Sequence, residues 1–146
     1  MRDDIAVIVD KLRVLYSGKN AFLIKIAEHY SAQESLLRAE NFEAMNDLMD
    51  ENAALISAID SLDYDISAQM DGLIRRTGMD KKMLDRFLNE SREGEALRTA
   101  KTECAESIEA VIALADSFIG LMKSMTVNYL KDADELARIR RMKELL

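Results

Sequence analysis

The sequence predicts an all-α protein: an elongated antiparallel bundle of three long helices, with a short connecting helix and an amphipathic C-terminal tail. Three observations lead there. None of the 146 residues is proline, and a proline inside a helix removes a hydrogen bond and clashes with the preceding turn, costing roughly 3 kcal/mol. Apolar residues recur at alternating steps of three and four, the spacing of one helix face, while the two-residue alternation of a strand is almost missing. Five glycines and no tryptophan leave little material for the loops on which most catalytic groups sit.

Composition narrows the class. A chain that is 49% apolar and 32% charged has the profile of a folded helical protein. Residues 1–146 are expected to form a single helical domain, with 130–146 a candidate partner-binding tail. The formal charge of −7 and pI near 4.8 argue against nucleic acid, whose phosphates draw their affinity from concentrated Lys and Arg. Anionic membrane surfaces are disfavoured for the same reason. No stretch approaches the roughly 20 apolar residues of a membrane span, and the start carries Asp3, Asp4 and Asp10 among its apolar residues, unlike a secretory leader. No membrane insertion and a cytoplasmic location are therefore expected. The one cysteine, Cys104, lies in an apolar stripe and reads as a small buried side chain.

The elements follow in order. Over residues 3–37, Ile5, Ile8, Leu12, Leu15, Phe22 and Ile26 share a face, which predicts a first long helix. Lys19, His29 and Gln33 fall on the same seam, and Gly18 weakens the middle by about 1 kcal/mol relative to alanine. The stripe loses phase around residues 38–41, where Asn41 is suited to cap a second helix starting at Phe42. Met45, Leu48, Leu55, Ile59, Leu62, Ile66 and Leu73 carry that helix, and Asn52 interrupts its seam. A polar residue there specifies register at some cost in stability.

Gly72 and the Thr77-Gly78 pair break the pattern, and Asp80 then caps a short helix containing Met83, Leu84, Phe87 and Leu88. After Gly94 comes the cleanest seam: Leu97, Cys104, Ile108, Val111, Ala115, Phe118, Met122, Met125 and Tyr129, broken by Lys101. This is the third long helix. At 1.5 Å per residue, helices of about 35 residues extend about 50 Å. Residues 130–146 place Leu136, Ile139, Met142, Leu145 and Leu146 beside Arg138, Arg140, Arg141 and Lys143, an amphipathic and locally basic tail.

Catalytic and cofactor chemistry finds little support. The one histidine, His29, has no glutamate three residues before it, which excludes the paired Glu-x-x-His motif of helical di-iron proteins. No phosphate-binding loop, dinucleotide fingerprint or zinc-spaced cysteine pair occurs. Arg75 and Arg76 at a helix end fit ordinary dipole-stabilising charge better than a substrate clamp. No catalytic residue, metal ligand or cofactor is assigned, and the chain is not expected to be an enzyme.

Two features point instead to protein partners. Nine acidic residues and no Lys or Arg lie between Ala39 and Ile74, giving one half of the molecule a negative field that either solvates it or guides a basic partner. Nine methionines include Met79, Met83 and Met142, flexible side chains suited to varied apolar partners.

The run AEHYSAQESLLRAENFEAMNDLMDENAALISAIDSL, residues 27–62, resembles the FlgN-like flagellar export chaperones in the order of its parts. Glu34, Leu37, Asn41, Phe42, Leu48, Leu55, Ile59, Leu62 and Gly78 stand in corresponding places, and the segment with Leu114, Gly120, Leu121 and Met122 resembles the family's last long helix. Where that family often carries Asn-x-x-Asn-Gly, this chain has Asp116, Ile119 and Gly120. The resemblance implies a cytoplasmic chaperone of flagellar type III export that binds hook-filament junction proteins, docking through a C-terminal amphipathic helix. The residues expected to contact the partner are Leu136, Ile139, Met142, Leu145, Leu146, Arg138 and Arg141. The alternative is a helical scaffold or signalling adaptor that self-associates, as a homodimer, through its seams.

Overall fold

A computed structural model describes residues 3–146, in which five helices occur and no strand. Helix α1 spans Asp3–Arg38, α2 Phe42–Thr77, α3 Lys81–Glu90, α4 Glu95–Ser124 and α5 Leu130–Lys143. Gly18 does not interrupt α1, whose 36 residues form one helix. Its neighbours explain this, since Leu12, Tyr16, Lys19 and Leu23 around it are all buried and hold the turn in place. Where a Cβ would extend from Gly18 it meets Leu62 of α2 at 3.7 Å.

The caps expected from sequence form. Asn41 accepts a hydrogen bond from the Ala44 amide at 3.3 Å, and Asp80 from the Met83 amide at 2.8 Å, each filling an orphan donor of a first turn. Gly78 closes α2 in the left-handed region at φ 69°, where glycine carries no Cβ penalty. Two other helix ends use residues that pay for the same turn: Glu40 at φ 57° after α1, and Thr126 at φ 58° after α4. The Asn41 amide bonds back to Leu36 and the Val127 amide to Met122, satisfying carbonyls that the helix leaves free. A β-branched residue in that region is unusual and strained. The apolar pattern of α4 continues through Met125 and Tyr129, but the helix stops at Ser124 and the chain reverses at Thr126.

α1 is the centre of the bundle, packed lengthwise on α2 and on α4. Its partners give the directions. Arg76 pairs with Asp4, Asp63 with Lys19, and Asn52 with His29, so α1 and α2 run in opposite senses. Cys104 meets Tyr16, Ser107 meets Asn20 and Phe118 meets Tyr30, so α4 runs in the same sense as α1. The Tyr30 and Phe118 rings pack tilted with centroids 6.0 Å apart.

The core seam of α1 is Ile5, Val9, Leu12, Tyr16, Lys19, Leu23, Ile26, Tyr30, Gln33 and Leu37, a strict alternation of four and three. Leu15 and Phe22, expected on that seam, are half-buried at its edge. On α2 the deepest positions are Met45, Asn52, Ile56, Ile59 and Leu73. On α4, Ala100 rather than Lys101 fills the turn between Leu97 and Cys104. α3 crosses the end of the bundle with Leu84 and Leu88 inward. Among the described residues no helix is long and apolar enough to cross a membrane.

Candidate partner-binding groove

α5 does not trail away from the body. It returns along α4 and α2, in the channel above α1. Lys131 pairs with Asp50 and Arg138 with Asp60 of α2, while Arg140 pairs with Asp116 and Lys143 with Glu109 of α4. These flanking pairs are exposed, so each contributes at most about 1 kcal/mol and less in salt. Acids of the Ala39–Ile74 stretch thus meet basic residues of this same chain.

The seven residues expected to face a partner divide accordingly. Leu136, Ile139 and Met142 are buried at 5%, 0% and 3% exposure, because they are the side chains that fill the channel. Arg138 is taken by Asp60. Leu146 is half-buried, while Arg141 and Leu145 are at the surface. In the folded chain Leu136, Ile139 and Met142 therefore form no open stripe, because the bundle against which α5 packs covers them.

Two carboxylates share the buried face of α5. Asp132 has 0% exposure and Glu135 5%. Tyr30 of α1 donates a long hydrogen bond, 3.4 Å, to Glu135 Oε2. Both oxygens of Asp132, Glu135 Oε1 and the nearby helix-α1 amide Gln33 Nε2 have no hydrogen-bond partner. Such groups are costly to bury in charged form. Burial, reinforced for Glu135 by the charge of Asp132, pushes Asp132 up to about 6 and Glu135 up to about 7. Burial and the same two carboxylates raise the Tyr30 hydroxyl far above its ordinary range. A signal for this pair was available: Asp132, Glu135, Ile139, Met142 and Leu146 lie at steps of 3, 4, 3 and 4, so the acids continue the apolar seam.

α5 has 14 residues where α2 has 36, so it fills only the upper part of its channel. Beyond Leu146 the channel stays open as a cavity of about 400 Å³ between α2, α3 and α4. Ile66, Met70 and Ile74 of α2, Tyr16 of α1, and Leu145 and Leu146 give it an apolar floor. Asp71 and Asp85 stand on its rim with Lys81 and Lys101. Lys101 also lies 5.8 Å from the Tyr16 ring centroid, a cation–π distance. Burial and nearby acids push the Tyr16 hydroxyl up to about 12, so it stays protonated. A larger hollow of about 580 Å³ beside Arg13, Arg92 and Glu103 has only alanines for an apolar lining.

The remaining polar core is internally bound. Lys19 Nζ, with no exposed surface, donates to Asp63 Oδ1 at 2.7 Å. Burial still raises the Asp63 carboxyl, against the lowering effect of Lys19. Asn52 bonds His29 through its oxygen and Gln33 through its amide, each at 2.8 Å, linking α1 to α2. Cys104 is buried with its thiol pushed up to about 11 by desolvation, which leaves little thiolate for chemistry. Among the described residues no three His, Cys, Asp or Glu side chains gather to hold a metal ion.

Comparison with known protein families, with curated proteins and with solved structures gives no match for this chain.

Proposed function

We propose that this chain binds an amphipathic helix of another protein in the channel that α5 partly fills, and so acts as an escort. The observation that carries the reading is the half-filled channel: α5 ends at Lys143 while the apolar floor continues through Ile66, Met70 and Ile74. Helix-in-groove recognition needs such a floor with charged edges, and here Asp71 of α2, Lys81 and Asp85 of α3 and Lys101 of α4 line it. α5 is an internal example of the ligand, with apolar residues down and basic residues out to both walls. Covering an aggregation-prone amphipathic segment lowers its free concentration and keeps it competent for delivery. Nothing in this mechanism requires a nucleotide.

The resemblance to the FlgN-like export chaperones supplies the client: the terminal helix of a hook-filament junction protein, met in the cytoplasm before export. We place the contact in the groove rather than along the tail, with Leu145 and Leu146 as the tail residues lining it. Titrating a fluorescent peptide of that terminal helix against the chain is expected to show saturable binding. M70D and I74D should each weaken it by at least about tenfold, or 1.4 kcal/mol. No binding by the unaltered chain, or binding by both variants as tight as that of the unaltered chain, would refute the reading. A self-associating scaffold is the second reading, favoured by Val7 and Val14 exposed a heptad apart on α1.

A further inference from the structure

We propose that the seat of α5 is a proton-controlled latch: Asp132 and Glu135 hold the helix in its channel while they carry protons and loosen it when both are charged. The inference rests on the groove reading for its purpose, because release of α5 would lengthen the open channel from its lower part to its whole extent. It stands on geometry independent of any client.

The seat is built from opposites. Leu136, Ile139 and Met142 anchor the lower turns of α5, whereas the upper turns bury two acids. Charged and titratable groups surround them on three helices. On α5 itself Lys131 and Arg138 are directed to the outer walls, where Asp50 and Asp60 of α2 take them. From α1 comes the Tyr30 hydroxyl, and behind it His29, whose ring is bound to Asn52 and lies 3.4 Å from Glu51. On the α4 side Phe118 packs tilted against Tyr30, and Asp116 is paired with Arg140. Burial outweighs the lowering effect of Lys131 on both carboxyls and of Arg138 on Glu135, neither cation hydrogen-bonds the acids, and three of the four carboxylate oxygens are without partners. Protons are therefore what neutralises them in the seated helix.

The hinge is equally local. Met125–Tyr129 connects α4 to α5, with Thr126 held at φ 58°, a conformation disfavoured for a β-branched residue. Leaving the channel frees the carboxylates to water and lets Thr126 relax. Opening at this hinge leaves the α1, α2 and α4 ladders intact.

The sign follows from linkage. In the seated helix both acids hold protons more tightly than a solvated carboxylate, to about 6 and about 7. Seating is strongest below the ordinary carboxylate range, weakens as pH rises, and reaches its floor once pH passes about 7. Taking these values with ordinary free ones, the seating equilibrium falls roughly a hundredfold between pH 5.5 and 7.5. Above that window it levels off.

Hydrogen exchange on the full chain without client tests this, once the intrinsic pH dependence of amide exchange is removed. Protection in α5 is expected to fall across that interval by up to about a hundredfold, with the middles of α1, α2 and α4 unchanged. D132N/E135Q should stay protected throughout, and E135Q alone should leave roughly a fourfold change. H29Q, as a control, should follow the unaltered chain. Constant α5 protection in the unaltered chain, or an undiminished pH response in E135Q, would overturn the latch. That failure would leave peptide binding to the lower groove intact, while loss of peptide binding would leave the exchange result standing.

Discussion

Replacing Ile139 by alanine measures how firmly α5 is seated. Ile139 has no exposed surface and lies between Leu136 and Met142 on the buried face of α5. The substitution deletes three carbons, worth about 2.5 kcal/mol at about 0.8 kcal/mol per buried group. The void adds about 1 to 2 kcal/mol where the surroundings cannot close on it. Ile139 sits on the buried face of α5 against the body of the bundle, so little closure is expected and the total is roughly 3.5 to 4.5 kcal/mol. The loss has two possible destinations. If α5 unfolds with the bundle, the urea midpoint falls by the full amount. If α5 opens alone, the midpoint moves less and tryptic cleavage at Arg140 and Arg141 accelerates by two to three orders of magnitude. L145A is the control, because Leu145 is 59% exposed and its loss should stay within about 0.5 kcal/mol. An I139A chain that loses under about 1 kcal/mol and is cut no faster would refute the seated helix.

Further substitutions test the frame that holds the channel. D63A should cost about 3 to 5 kcal/mol in urea unfolding because it strands the buried Lys19 ammonium, while K19M/D63L should recover most of that loss; equal costs would deny a coupled pair. G94A should lower the melting temperature, because a Cβ at Gly94 would overlap the Leu88 carbonyl oxygen that Arg98 also binds at 2.7 Å. G120A, on the exposed face of α4 with nothing in reach of the added carbon, should gain about 0.5 to 1 kcal/mol; similar effects at both glycines would contradict the packing of the α3–α4 corner.

The helices were legible because their signals are local. Asn41 and Asp80 cap where a short polar side chain precedes an apolar run, and the missing prolines let α1 and α2 reach 36 residues each. Phase was harder. On α1, Leu15 stands next to Tyr16 and Phe22 next to Leu23, so two adjacent seams read equally well from sequence. The structure buries Tyr16 and Leu23 because α1 is clasped on two sides and needs a wide apolar face. The reversal after Ser124 was illegible for another reason. Turns into the left-handed region announce themselves through glycine, and here Glu40 and Thr126 occupy it instead.

The groove was partly written in α5. Its apolar residues were found, but amphipathicity alone does not say whether a stripe meets its own chain or another. The charges decide it: Lys131, Arg138, Arg140 and Lys143 each find an acid on the channel walls, and those acids belong to α2 and α4 of the same molecule. Asp132 and Glu135 qualify that match. Had the seam carried two leucines there, α5 would be a permanent fourth helix, with each side chain adding about 1.5 to 3 kcal/mol of burial. Acids at those positions make the contact conditional, since the same side chain is tolerable inside when protonated and favoured in water when charged. A short helix with a weakened upper end and an apolar lower end, lying beside an open stretch of its own channel, is the arrangement a displaceable occupant requires.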